Sequence, residues 1–356
     1  MAIVPDLGQH HYPAISVVMP TFNDGEYLRE AIDSILNQTF RYFEFIIVND
    51  GSTDNSEDII NSYNDNRIRY LKNASNSGNA IARNIGMKAA RGKYIAMMDS
   101  DDIAKPNRFV MQFEYLEGHP EIGIFGSAII FFDENSWFTR YYPTDPDYIR
   151  CFLFFKNAMA QNSVILRREI VLEHQLYYNP EFENGEDFDF WYRAAMKGVR
   201  IANMRNALIY YRQSESQLSH PSNAGTRIES LKSHFRTKLD LFALEFNEEE
   251  FMLLHNFIRG RVEVSDEQYK VLKRLLTMVL NASKPNKIFD NAAFRAVIFS
   301  HRLRLMKYYY FEKKKFILFF IGVLELMVKT RITSIVLFWN NEGRSRNNEV
   351  HFGKPF

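Results

Sequence analysis

The chain has 356 residues, of which 46% are hydrophobic and 15% aromatic. That excludes wholesale disorder and leaves room for two domains, or for one large domain with an appendage. A formal net charge of +1 argues against a protein built to coat nucleic acid, where a strongly basic domain is expected.

The single cysteine, Cys151, cannot form an internal disulfide, which fits a reducing compartment. The N-terminal stretch lacks the positive region and apolar core of a secretory signal, so the expected location is the cytoplasm. Residues 1–14 read as a lead-in that ends at Pro13. Residues 15–19 (ISVVM) are apolar enough for a buried strand, and Pro20-Thr-Phe-Asn-Asp24 follows at once. From Glu26 to Gln38, Leu28, Ile32, Ile35 and Leu36 share one helix face. A second strand, residues 43–48, runs into Asn49-Asp-Gly-Ser-Thr-Asp54, and Asp54 with Glu57 has the spacing of a helix-capping pair. Ile68 to Leu71 is a short third strand. Asn76-Ser-Gly-Asn79 then leads into a helix over 80–90, which Gly92 breaks.

The next strand, from Tyr94, ends in Asp99, Ser100, Asp101 and Asp102. Burying such a cluster without counter-charge would cost on the order of several kcal/mol or force protonation. A divalent cation carrying phosphates removes the problem, and hard oxygen ligands suit Mg2+ or Mn2+. The bland alternative is a solvated acidic loop that caps the following helix. Strand, turn and helix alternate through this half with short links, the pattern of a mostly parallel sheet with helices on both faces. Thr21, Asp50 and Asp101 each fall just after a strand, so all three are expected on the edge where such sheets bind ligands.

A helix over 107–117 precedes a long apolar strand, 122–132. Residues 133–157 are aromatic and proline-punctuated, with loop character; 133–160 is expected to be an acceptor-side lid, with Asn157 and Gln161 as candidate contacts. Residues 162–167 are another strand candidate. Glu183-Asn-Gly-Glu-Asp-Phe-Asp189 opens a helix, where acids also complement the helix dipole. Gly198 closes that helix, and 207–211 is read as the last strand. From about residue 222 to 310 only helices are expected: 226–246, 248–260, 265–282 and 287–310, with Ser265 and Gln268 as a capping box. Lys313-Lys-Lys315 then precedes an apolar block of about 13 residues, Phe316 to Val328. That is short of the roughly 20 needed to span a bilayer and fits a helix lying in a membrane interface, or an ordinary core helix. The expected domains are the lead-in 1–14, a catalytic domain 15–222, a membrane-associated or oligomerising helical region 223–340, and a polar tail 341–356.

Residues 15–23 (ISVVMPTFN), 46–54 (IIVNDGSTD), 82–86 (ARNIG) and 92–102 (GKYIAMMDSDD) resemble family 2 of the inverting glycosyltransferases (GT2), which have a GT-A fold. The resemblance covers about 14–220. It implies that Thr21, Phe22 and Asn23 line the nucleotide base, with Asp50 accepting a base N–H. Gly78, Arg83, Asp99 and Ser100 would serve the ribose and diphosphate, and Asp101, with Asp99, the metal. Glu186 and Asp187 match the family's acidic pair, with Asp187 as general base. The family's histidine after Tyr-Arg is absent: Tyr211-Arg-Gln is followed by Ser214, and His220 lies nearby.

The residues alone support the same chemistry. Sugar transfer passes through an oxocarbenium-like state, the leaving diphosphate gathers charge that a cation stabilises, and the acceptor hydroxyl needs a carboxylate on the opposite face. The acids at 99–102 and 186–187 meet these two demands. One base without a covalent nucleophile means inversion. The expected activity is transfer from a nucleoside-diphosphate sugar, UDP-linked, to a glycan or lipid-linked acceptor in bacterial surface polysaccharide synthesis. The enzyme would sit in the cytoplasm or on the inner face of the plasma membrane, with 301–340 meeting anionic lipid. The alternative is a non-catalytic sugar-nucleotide-binding or membrane-docking module. Asp50 could instead bind turn amides, Arg83 could pair with Asp50 or lie on the helix surface, and Phe190 and Trp191 read as core. A nucleotidyltransferase is disfavoured because no glycine-rich basic loop follows the first strand, and a dinucleotide oxidoreductase because no GxGxxG does.

Overall fold

The computed structural model describes residues 13–182, 184–213, 224–260, 264–284, 288–312, 322–323, 326 and 350–352. The apolar runs become parallel strands: β1 (Ile15–Thr21), β2 (Phe43–Asn49), β3 (Ile68–Lys72) and β4 (Tyr94–Met97). β1 lies between β2 and β4, with Val18 opposite Ile46 on one side and Met97 on the other. Every residue of β1, β2 and β4 is buried, as expected of strands covered on both faces. The connecting helices are α1 (Leu28–Leu36), α2 (Ser56–Asn61) and α3 (Asn79–Ala89). α3 approaches the sheet closely at Gly86, where a β-carbon would come 2.4 Å from Val18 Cγ1.

After β4 come β5 (Ile103–Ala104), α4 (Arg108–Gly118), β6 (Ile122–Phe132), β7 (Ser136–Arg140), α5 (Pro146–Phe152), β8 (Ile165–Arg167), α6 (Arg168–His174), α7 (Glu186–Met196) and β9 (Arg200–Arg212). β8 runs antiparallel to both β4 and β6, giving the order β7-β6-β8-β4-β1-β2-β3. β9 runs parallel to β6 and also pairs with β5. The sheet is therefore parallel over β3-β2-β1-β4 and mixed beyond. Val17, Met19, Phe45 and Ile47 on one face pack with Leu28, Ile32 and Phe109. Val18, Ile46, Val48 and Ile95 on the other pack with Met87, Phe190 and Trp191.

Four expectations differ from what is seen. The loop expected at 133–157 contains β7 and α5; Pro146 and Asp145 are helix-start residues, the Asp145 carboxylate accepting from Tyr148 N at 2.8 Å with proline in the first turn. The last strand begins at Arg200 rather than 207, because pairing with β6 carries it through the polar stretch Asn203, Arg205 and Asn206. Residues 161–163 form a short 3-10 turn, leaving strand only at 165–167. Asp54 and Glu57 make no capping box: Asp54 accepts from Gly25 N and Ser56 N, while Glu57 binds Tyr70 and Lys72.

The helices beyond residue 222 are α8 (Ala224–Asp240), α9 (Glu248–Arg259), α10 (Asp266–Ser283) and α11 (Asn291–Glu312). The Ser265–Gln268 capping box forms, with Gln268 N donating to Ser265 Oγ at 3.2 Å. Their shared core holds Phe235, Phe242, Phe251, Phe257, Phe289 and Phe294, together with Tyr148, Cys151, Phe154 and Phe155 from α5 and its following turn. Phe154 stacks on Phe242 at 4.9 Å, so the helical region is joined to the sheet region by an aromatic core. Among the described residues no helix is long and apolar enough to cross a membrane. Lys313–Lys315 and most of the apolar block 316–328 lie outside the described residues, as do Ser214 and His220. Within the stretch expected as a tail, β10 (Val350–Phe352) pairs antiparallel with β7.

Candidate active site

Because β2, β1 and β4 are parallel neighbours, the residues that follow them emerge at one edge of the sheet. Thr21, the last residue of β1, is buried, and the segment after it folds around Asp24. The Asp24 carboxylate accepts from Thr21 Oγ1 at 3.3 Å, from Phe22 N at 3.2 Å and from Ser100 Oγ. It thereby clips the loop after β1 to the acidic turn after β4. Burial pushes its carboxyl above the usual range, opposed by the Ser100 bond. Asn23 adopts φ 57°, which asparagine tolerates, and binds the loop after β2: its N–H donates to Ser52 Oγ at 3.0 Å and its side-chain oxygen accepts from Thr53 N at 2.8 Å. Phe22 is 36% exposed, an apolar face at the mouth of this edge.

Asp50 is buried with both oxygens occupied. Oδ1 accepts from Asn73 Nδ2 and Ser77 Oγ, each at 2.6 Å; Oδ2 accepts from Ser77 N at 2.9 Å and Gly78 N at 2.8 Å. Gly78, at φ 91°, starts α3. A carboxylate offers about four acceptor sites, so a base N–H can reach Asp50 only by displacing one of these donors. The amides it binds are those of the 76–78 loop; the nearer turn amide, Ser52 N, goes to Asn49 Oδ1.

In the acidic turn, Asp99 Oδ1 accepts from Arg83 at 2.9 Å. The Asp101 carbonyl accepts from Arg212 Nε at 3.0 Å. Asp102 is buried, accepting from Arg212 N at 2.9 Å and from Asn162 Nδ2. Burial first, then the charges of Asp101 and Asp99, push its carboxyl well above the usual range. Below the turn lies Arg108, fully buried, donating to the Met97 carbonyl at 2.8 Å and to Gln112 Oε1 at 3.1 Å. Burial lowers this guanidinium to about 9, while Asp99 and Asp102 act to raise it.

The second acidic site meets the first at Arg83. This buried guanidinium bridges Asp99 and Glu186, 103 positions apart in sequence from Arg83 to Glu186. It pairs neither with Asp50 nor with solvent, the two arrangements that the sequence suggests. Glu186 opens α7, and Asp187 stands beside it, half-buried. Asp187 Oδ2 accepts from Asn157 Nδ2 at 2.6 Å and Oδ1 from Phe188 N at 2.7 Å. Burial, reinforced by the Glu186 charge, raises its carboxyl to about 6. Gln161 hydrogen-bonds the Tyr178 hydroxyl at 2.8 Å, and the Tyr178 ring lies 5.7 Å from the Arg83 guanidinium. Phe190 and Trp191 are fully buried core. Asn73, Ser77, Asp24 and Arg108 carry no sequence signal of their own; each becomes visible only when loops from different strands meet.

Among the described residues no group of three or more acidic, histidine or cysteine side chains is close enough to hold a metal alone. The donor set nevertheless fits a cation shared with a ligand. Burial, then the charges of Asp101 and Asp99, push the Asp102 carboxyl well above its usual range, which leaves Asp99 and Asp101 as the candidate ligands, and Mg2+ characteristically binds through one or two carboxylates plus substrate phosphates.

The family described as Glycosyl transferase family 2 matches residues 16–174. An uncharacterized glycosyltransferase of Methanocaldococcus jannaschii is 33% identical over 247 residues, 65% of this chain and 83% of that protein. The chain belongs to glycosyl transferase family 2. It is a glycosyltransferase with the GT-A architecture followed by C-terminal helices. A relative from Escherichia coli, the UDP-Glc:alpha-D-GlcNAc-diphosphoundecaprenol beta-1,3-glucosyltransferase WfaP, is 29% identical over 58% of this chain and 79% of its own length. Among solved structures, residues 1–349 of S. aureus TarS in complex with UDP-GlcNAc superpose with a TM-score of 0.54 at 18% identity, covering 83% of this chain and 91% of that one. The last likeness concerns the fold alone.

Proposed function

We propose that this glycosyltransferase transfers a sugar, with inversion, from a UDP-linked donor to a hydroxyl of a lipid-linked or glycan acceptor in surface polysaccharide assembly. The observation that carries this reading is the Arg83 bridge, which brings the acidic turn 99–102 and the pair Glu186–Asp187 to one guanidinium. The enzyme class is established by family membership. The UDP donor and lipid-diphosphate acceptor of the E. coli relative support the finer assignment.

In this reading Phe22 and Thr21 border the base, and the loops clipped by Asp24 and Asn23 shape its pocket. Asp50 either exchanges a loop donor for the base or holds the 73–78 loop that carries the ribose contacts. Asp99 and Asp101 hold Mg2+ or Mn2+, which when bound supplies Lewis-acid stabilisation to the leaving diphosphate. Arg83 adds a fixed positive charge on the same side. Asp187, raised to about 6, is ionised at neutral pH yet basic enough to accept the acceptor's proton. With two donors already on the Asp187 carboxylate, its orientation is set before substrate arrives. No second carboxylate is assigned as a nucleophile, so a single displacement gives inversion.

The domain division at about residue 222 belongs to the same proposal, with the helical region as a separate layer docked through α5. The test is release of UDP from a panel of UDP-sugars and GDP-mannose, with and without Mn2+. Turnover confined to UDP donors and stimulated by Mn2+ is expected; turnover of GDP-mannose alone, or turnover indifferent to Mn2+, would overturn the donor or metal assignment respectively.

A further inference from the structure

Lys238, on α8, is fully buried at the junction of the helical region and the sheet region. Its ammonium donates to the Leu153 carbonyl at 3.0 Å and lies 3.5 Å from the Phe188 ring centroid and 4.1 Å from that of Tyr192. Leu153 caps the C-terminus of α5, while Phe188 and Tyr192 are on α7. A buried ammonium is costly unless its donors and charge are satisfied; here a carbonyl and two ring faces receive it, while burial and the nearby Arg259 still push it well below its usual range. The carboxylate in its field, Asp189, is already paired with Arg193 at 2.7 Å.

The two segments gripped by Lys238 are the two that hold Asp187. One oxygen of Asp187 accepts from Phe188 N, whose ring sits against the ammonium. The other accepts from Asn157 Nδ2, four residues beyond the carbonyl that Lys238 binds. On the same side His234 stacks on Phe182 at 4.0 Å, so α8 also packs against the approach to α7.

We propose that Lys238 is a positioning residue through which the C-terminal helices fix the orientation of the Asp187 carboxylate. The helical region thus serves catalysis directly, in addition to any role in association. The inference rests on reading Asp187 as the base, but its structural half does not.

The test compares Lys238→Met, which keeps the stem, with Lys238→Arg, which keeps a cation and a donor. Amide hydrogen exchange at Phe188 is the first readout, and UDP affinity and turnover on the accepted UDP-sugar are the second. The expected result for K238M is exchange at Phe188 about tenfold faster or more, with UDP affinity unchanged and kcat about tenfold lower or more. K238R is expected to restore both most of the way. Wild-type exchange at Phe188 in K238M would overturn the proposal, as would equal, uniform loosening of α8 and α9 in both variants, which marks a packing role alone. Wild-type turnover in Asp187→Asn would instead remove the base assignment, whatever exchange at Phe188 does.

Discussion

The two acidic ends of the site are built in opposite ways. The turn 99–102 is delivered by a buried strand and crowded with like charge, so that burial first and then that charge push the Asp102 carboxyl well above its usual range. Glu186 and Asp187 are delivered by the start of a helix, where backbone and side-chain donors receive them. Asp102 and Asp187 are both raised, mainly by burial, but from different surroundings: like-charged neighbours in the turn, and Glu186 with two hydrogen-bond donors at the helix start. Arg83 is the element common to both ends.

The sharpest separation of the two ends is Asp187→Asn, which is expected to lower transfer by about 10²- to 10⁴-fold and to leave UDP affinity unchanged by calorimetry. Asp101→Ala should act at the other end. Loss of a cation worth several kcal/mol corresponds to about 10²-fold or more in kcat/KM, accompanied by weaker UDP binding in Mn2+. If both variants lose UDP binding equally, the division of labour is wrong. Arg83→Met removes the link itself. Leaving Asp99 and Glu186 facing one another should cost about 2–3 kcal/mol of folding stability, the low end for a broken buried pair because both acids are partly exposed. Urea denaturation measures it.

The pH dependence distinguishes the ends further. The Asp187 carboxyl is raised from 3.8 to about 6, so its proton is still bound in the folded state at pH values where the unfolded chain has lost it. Transfer should therefore rise with pH through about 6 as the base ionises, and the limb should vanish in Asp187→Asn. This group's contribution to stability has the opposite sign: it is present at low pH and declines between 3.8 and about 6. The smallest effect is reserved for a site remote from both ends. Ser265→Ala removes the capping box of α10 and should cost about 1 kcal/mol, with turnover unchanged.

The parallel half of the sheet was legible in the sequence because β1, β2 and β4 are continuous apolar runs, each followed by a polar loop with chemistry in it. Residues 133–175 and the start of β9 were less legible for the opposite reason. β7 is half-exposed, α5 begins with a proline that reads equally as a loop, and β9 starts in a polar stretch whose strand conformation depends on pairing with β6. The acids of the candidate site could be named from motifs, and their placement after strands could be inferred. Their partners could not. That Arg83 faces Asp99 and Glu186, that Asp24 ties Ser100 to Thr21, and that Asp50 is saturated by the 73–78 loop are consequences of loops meeting in space. No local period encodes them.

The most direct measurement is a crystal structure of the enzyme with UDP and Mn2+, the cation located by its anomalous signal. The diphosphate and Mn2+ are expected against Asp99 and Asp101 with Arg83 alongside, and the Asp187 carboxylate facing the far side of the sugar position. A nucleotide bound away from that turn, or Asp187 turned from the diphosphate with its approach closed, would contradict this arrangement.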